Sequence, residues 1–149
     1  MVAALAVAQQ YRDNQITSSA PEQTVLMLYD GAIRFLRSAV NELKKGNVPE
    51  KAKLIEKAAN IVDYLQSCLD KEKGGEIAAN LDRLYDYILV ELTEANIKND
   101  PNRIDSVINV LQPIRDAWYE ICNPKAQTTP ANNNTSEAVR PLKSITVKA

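Results

Sequence analysis

The sequence predicts an all-α protein, an antiparallel up-down-up-down four-helix bundle. Three observations predict it. Apolar residues recur at spacings of three and four and never strictly at two. Turn signals cut residues 19–122 into four segments of similar length. Each segment carries an apolar stripe broad enough to pack against two neighbours, which a bundle requires of every helix.

The first segment opens at Ser19-Ala20-Pro21-Glu22, where Ser19 and Glu22 have the spacing of a capping box. It closes at Lys44-Lys45, cations suited to a helix C-terminus, and Gly46 stops it. Leu26, Tyr29, Ile33, Leu36, Val40 and Leu43 form one stripe, with Val25, Leu28, Ala32, Phe35 and Ala39 beside it. Asp30 and Arg34 stand four apart, the spacing of a helical ion pair. The second segment starts at Asn47-Val48-Pro49-Glu50 and runs to about Lys71. Its stripe is Leu54, Ala58, Ile61, Leu65 and Cys68, flanked by Ile55, Val62 and Leu69.

Gly74-Gly75 breaks the chain, so the third helix is expected from Glu76 to about Asn96–Asn99. Ile77, Leu81, Leu84, Ile88, Leu92 and Ala95 make its stripe. Asp100-Pro101 supplies a cap and a first-turn proline for the fourth, which extends to about Cys122. Its stripe of Ile104, Val107, Ile108, Leu111, Ile114 and Trp118 stays in phase across Pro113, which predicts one bent helix. Three regions result: a short N-terminal docking segment over 1–18, the bundle over 19–122, and a disordered C-terminal tail over 123–149. The tail is rich in Asn, Thr and Pro and has no sustained period.

Composition narrows the function. The 149 residues hold 18 Lys and Arg, 19 Asp and Glu, four Gly and no His. Residues 1–122 carry a net −4 and residues 123–149 a net +3, so the folded part has no basic footprint for nucleic acid. Without His, the commonest general base and every His-containing metal site are lost. The carboxylates Asp82, Asp86, Glu91 and Glu94 read as a solvated helix face, and no cofactor or metal is expected. Cys68 and Cys122 read as small buried hydrophobes in a reducing compartment. No apolar run reaches the ~20 residues of a membrane span, and Met1–Gln10 lacks a basic start. A soluble cytoplasmic chain is expected.

What remains is apolar surface that the bundle does not use. Met27 points away from both seams of the first helix, with Gly31 one turn on. Tyr87, Val90 and Ile97 fall opposite the buried stripe of the third. Helix-in-groove recognition uses such surface without any reacting group. These five, with Tyr11 and Ile16 of the N-terminal segment, are the candidate partner-binding residues. A self-associating helical adaptor, pairing as a homodimer through the same stripe, is the alternative reading.

The run from Val25 to Leu36, VLMLYDGAIRFL, resembles the flagellin export chaperone family, FliS. So do Tyr11–Ile16, Ser19–Glu22, Gly74–Ala78, Asn80-Leu81, Leu84–Tyr87, Glu94–Asn96 and Asn99-Asp100. The likeness spans about residues 8–120 in register. Gln23, Thr24 and the long tail depart from the family pattern. The resemblance implies a cytoplasmic bundle that binds the C-terminal region of new flagellin, blocks premature polymerisation and delivers the subunit to the flagellar type III export apparatus. It implies that the segment with Tyr11 folds over part of the binding surface in the free chaperone. An export-gate protein and an anti-sigma factor are further partners that it implies.

Overall fold

The computed structural model describes residues 4–5 and 21–124. Four helices follow one another: α1 (Glu22–Lys44), α2 (Val48–Ser67), α3 (Lys71–Lys98) and α4 (Pro101–Cys122). The described residues contain no extended strand. Tyr11, Ile16 and the tail from residue 125 lie outside them.

The helix ends follow from the residues that cap them. α1 starts at Glu22 with Pro21 in the cap position and no side-chain cap; Ser19, the expected member of a capping box, lies outside the described residues. At its other end, Asn47 N–H donates to the Glu42 carbonyl (2.9 Å) and Gly46 N–H to that of Leu43 (3.0 Å). This reversal needs a left-handed residue, and Gly46 supplies it at φ 81°. Asp100 accepts from Asn102 N–H at 3.0 Å to start α4, with Pro101 at its first position. Pro113 sits inside α4 without dividing it.

The link between α2 and α3 differs from expectation. α2 stops at Ser67 rather than near Lys71, because Asp70 caps a new helix: its Oδ1 accepts the Lys73 N–H at 3.0 Å. One turn forms ahead of the glycine pair. Gly75 then leaves helical geometry (φ 56°, ψ −131°), and the long part of α3 continues beyond it. The glycine pair is a break, but inside an element that has already begun.

Cross-helix contacts fix the directions. Arg37–Gln112 and Asp30–Arg115 run in opposite senses along α1 and α4. Lys51–Asn96 and Gln66–Asp82 do the same along α2 and α3. α1 therefore packs antiparallel to α4, and α2 to α3, closing a ring in which α1 also packs on α2 and α3 on α4. The Asp30–Arg34 pair is not formed. Asp30 instead takes the Arg115 Nε at 2.5 Å, and Arg34 lies over the Phe35 ring.

The core is Val25, Leu26, Tyr29, Ile33, Leu36 and Val40 of α1 with their counterparts on the other helices. On α3 the buried line passes through Ala78, Leu81, Tyr85, Ile88, Leu92 and Ala95, so Tyr85 replaces Leu84, which is only partly buried. Cys68 is buried and Cys122 half-buried. Ala4 and Leu5 are helical and pack, partly buried, against the core. At the centre, Tyr29 and Tyr85 share a hydrogen bond of 2.7 Å between their hydroxyls, joining the diagonal helices α1 and α3.

This core has consequences for stability at two positions. Leu36 is fully enclosed, and an aspartate there would be an unpaired buried charge costing several kcal/mol of a total near 5–15. Leu36→Asp is expected to abolish the cooperative helical melt by circular dichroism; an unchanged melt would contradict the α1 register. The second position responds to alkali. Burial pushes the Tyr29 hydroxyl up to about 12 from 10.0, against a smaller lowering by its bond to Tyr85. The unfolded chain then releases this proton first, so the stabilisation is intact below pH 10 and lost as pH rises towards 12. Its size is about 2–3 kcal/mol at roughly 1.4 kcal/mol per pH unit. Urea melts from pH 9 to 12 should show this component in the wild type and its absence in Tyr29→Phe.

Candidate functional site

A groove of about 550 Å³ opens between α2 and α3. Ala52, Ile55 and Ala59 of α2 and Leu92 of α3 line it, with Lys53, Glu56, Thr93, Asn96 and Ile97 around them. The trough exists because two alanines stand seven residues apart on one face of α2. Seven residues are two turns, about 10 Å at 1.5 Å per residue. A larger side chain at either alanine would occupy the volume. Ile55 and Leu92 are buried, so the floor is fixed by the core itself.

One end of the groove is held by a buried cation. Lys51 is 1% exposed, and its Nζ donates to Asn96 Oδ1 (2.6 Å) and to the Asn96 carbonyl (3.0 Å). That carbonyl belongs to the last turns of α3, where helical carbonyls lack an internal partner and favour a cation. Burial pushes the Lys51 ammonium below its usual range. The other end is tied by Gln66, whose amide donates to Asp82 Oδ1 (2.9 Å) and Asp86 Oδ1 (2.7 Å). Lys71 and Gln66 hold the Asp82 carboxyl below the ordinary carboxylate range. The polar groups of the groove are largely engaged: Thr93 Oγ1 donates to the Leu89 carbonyl at 2.9 Å, and Asn96 holds Lys51. Its free character is apolar recognition framed by Lys53 and Glu56.

The candidate residues are dispersed. Ile97 lines the groove and is 70% exposed. Val90 (60%) lies seven residues back, about 20° away around α3 at 100° per residue, on the same outward line. Tyr87 (47%) lies a further 60° or so round, toward α4. Met27 is 65% exposed on α1, remote in sequence and element from this surface. Gly31 is not an open notch for a partner. It is buried, and a methyl there would meet Ile61 Cδ1 at 3.4 Å, so α2 of the same bundle fills the space. Sequence reasoning misses Ala52, Ala59, Lys51 and Asn96. The alanine pair at spacing seven is the signal that could have found them.

A second groove, of about 490 Å³, separates α1 from α4. Arg37, Asn41, Asp105 and Asn109 surround Val40 and Ile108, so its rim is mostly polar. Among the described residues, no group of three or more Cys, Asp or Glu side chains is placed to hold a metal ion. None of the described helices is long and apolar enough to cross a membrane.

Comparison with known proteins converges on one family. The profile of the family described as Flagellar protein FliS matches residues 3–125. The chain is 43% identical over 122 residues to the flagellar secretion chaperone FliS of Salmonella typhimurium, covering 81% of this chain and 90% of that one. It is 42% identical over 109 residues to the Vibrio cholerae serotype O1 protein of the same name, covering 73% and 80%. With its Bacillus subtilis (strain 168) namesake it shares 32% over 110 residues, covering 74% and 81%.

The two faces of α3 predict opposite responses to truncation. Val90→Ala and Ile97→Ala should each shift stability by less than about 0.5 kcal/mol, since both side chains stand in solvent. Leu92→Ala, between them in sequence but enclosed, should cost about 2–5 kcal/mol. Urea midpoints of the three variants check this, and a reversed order would mean that the outward face has been assigned to the wrong side.

Proposed function

This chain belongs to the FliS family of flagellar secretion chaperones, and from that premise we propose that it is a cytoplasmic chaperone that holds the C-terminal region of new flagellin in the α2/α3 groove. The observation that carries this reading is a two-turn apolar trough with an exposed isoleucine on its rim. A short amphipathic helix lays its apolar face into such a trough, using side chains at spacings of three and four. Val90 extends the contact along the outward line of α3, and Tyr87 borders it on the α4 side. Covering the apolar segments of flagellin keeps them from pairing with one another, which blocks premature polymerisation. The subunit stays extended and ready for the flagellar type III export apparatus.

In this reading residues 19–122 are the binding body, 1–18 a cap and 123–149 an appended tail. Ala4 and Leu5 support the cap, since both pack against the core from the N-terminal side of the bundle sequence. Tyr11 and Ile16 of the same segment would compete with flagellin for the apolar surface, lowering the apparent affinity by the fraction of covered chains.

Filling the groove tests the proposal. Ala52→Leu combined with Ala59→Leu should reduce affinity for a flagellin C-terminal fragment at least tenfold by isothermal titration, equivalent to about 1.4 kcal/mol. Ile97→Asp should act in the same direction with an unchanged melting temperature. Light scattering of the wild-type mixture should give a one-to-one heterocomplex. Full affinity in the filled variant would overturn the groove assignment, and an oligomer of this chain that ignores the fragment would favour the self-associating adaptor.

A further inference from the structure

The outer seam between α1 and α2, on a different side of α2 from the groove, carries an uncompensated pair of cations set around one aromatic ring. Arg34 Cζ lies 5.6 Å and Lys57 Nζ 5.5 Å from the centroid of Phe35. Both cations are exposed, and the ring is partly buried. Cations over an aromatic face are attracted by its quadrupole, and the ring holds them without neutralising them.

Neither cation has a carboxylate partner among the described residues. The helical neighbours of Lys57 at three and four residues are Lys53, Leu54, Asn60 and Ile61, none of them acidic. Arg34 has Asp30 four residues back, but Arg115 of α4 takes that carboxylate at 2.5 Å. Lys45, Lys71, Lys98, Arg103 and Arg115 sit in ion pairs, and Arg37 and Arg83 bond to the amides of Gln112 and Asn80; what sets Arg34 and Lys57 apart is that both converge on one ring. Gly31 lies at the same seam: a methyl there would sit in ordinary van der Waals contact with Ile61 Cδ1 of α2, at 3.4 Å and one turn from Lys57. Arg34 Nη2 lies 3.9 Å from the same point.

We propose that the Arg34–Phe35–Lys57 seam is a second docking surface, independent of the flagellin reading, for an acidic amphipathic segment of a partner protein. Carboxylates of that segment pair with Arg34 and Lys57, while its apolar side chains lie on Phe35 and Ile61. Lys53, one turn from Lys57, adds positive potential without reaching the ring. Charge complementarity of this kind sets partner choice and association rate more than raw affinity, and it weakens as salt rises.

The probe is a fluorescein-labelled helical peptide of glutamate with a single leucine stripe, titrated against the full chain by fluorescence anisotropy. A peptide with glutamine in place of every glutamate serves as its neutral control. The glutamate peptide should bind, and its affinity should fall as ionic strength rises. The double variant Arg34→Gln, Lys57→Gln should weaken binding about tenfold or more. Lys44→Gln with Lys45→Gln, and separately Ile97→Asp, should leave it unchanged. Three results would each overturn the proposal: no binding of the glutamate peptide, equal binding of the glutamine peptide, or equal loss in the Lys44/Lys45 variant. Loss in Ile97→Asp alone would place the peptide in the α2/α3 groove and likewise refute the seam. All variants alter exposed side chains, so an unchanged melt confirms that folding is not what moves.

Discussion

The fold turns on two phenol groups that have been taken out of water. Tyr29 and Tyr85 are wholly enclosed, and a buried hydroxyl without a partner costs more than a hydrogen bond returns. Their shared bond of 2.7 Å can form only if α1 and α3 lie diagonally across the core with these two residues level. Apolar packing alone tolerates sliding and rotation among helices, because one leucine replaces another with little loss. A polar pair does not. It singles out one register, and that register decides which residues of α3 meet α2.

The groove is a consequence of that alignment. Two turns beyond Tyr85, Leu92 arrives opposite Ile55, Ala52 and Ala59. Where a bulky residue on α2 would interlock with Leu92, alanine leaves a trough. Lys51 and Asn96 fix one end, and Gln66 with Asp82 and Asp86 the other. A polar tie at each end and an unfilled apolar middle make a surface whose shape is fixed by the bundle itself. Preorganisation of this sort lowers the ordering cost of binding. The free cations on the far seam arise by a parallel route, since α4 takes the one carboxylate that α1 would otherwise offer to Arg34.

Much of this fold is legible in the order of the amino acids. Four stripes of period 3.6, Gly46, and the Asp100-Pro101 start mark the elements correctly, because each rests on local chemistry. The α2/α3 link is harder: Asp70 as a cap competes with the glycine pair as a break, and both operate within a few residues. Leu84 against Tyr85 is ambiguous by one position, since a helical stripe defines a face only to within a residue or so, and the deciding partner, Tyr29, is 56 residues away. The site is less legible than the fold. Exposure of Met27, Tyr87, Val90 and Ile97 follows from the same periodicity, but of these Ile97 alone lines either of the two grooves described above. Gly31 shows the opposite failing, a small residue that signals packing inside the bundle as readily as space outside it. A groove is formed by residues from two helices, and single-helix patterns do not show what lies across from them.

The central claim is that the trough between α2 and α3 receives the flagellin C-terminal region. Backbone amide chemical shifts of the isotope-labelled chain, followed during titration with that fragment, test it most directly. The predicted result is a cluster of the largest shifts over residues 52–59 and 92–97, with small shifts along the polar groove between α1 and α4. Shifts concentrated at Arg37, Asn41, Asp105 and Asn109, with the α2/α3 residues unmoved, would contradict it.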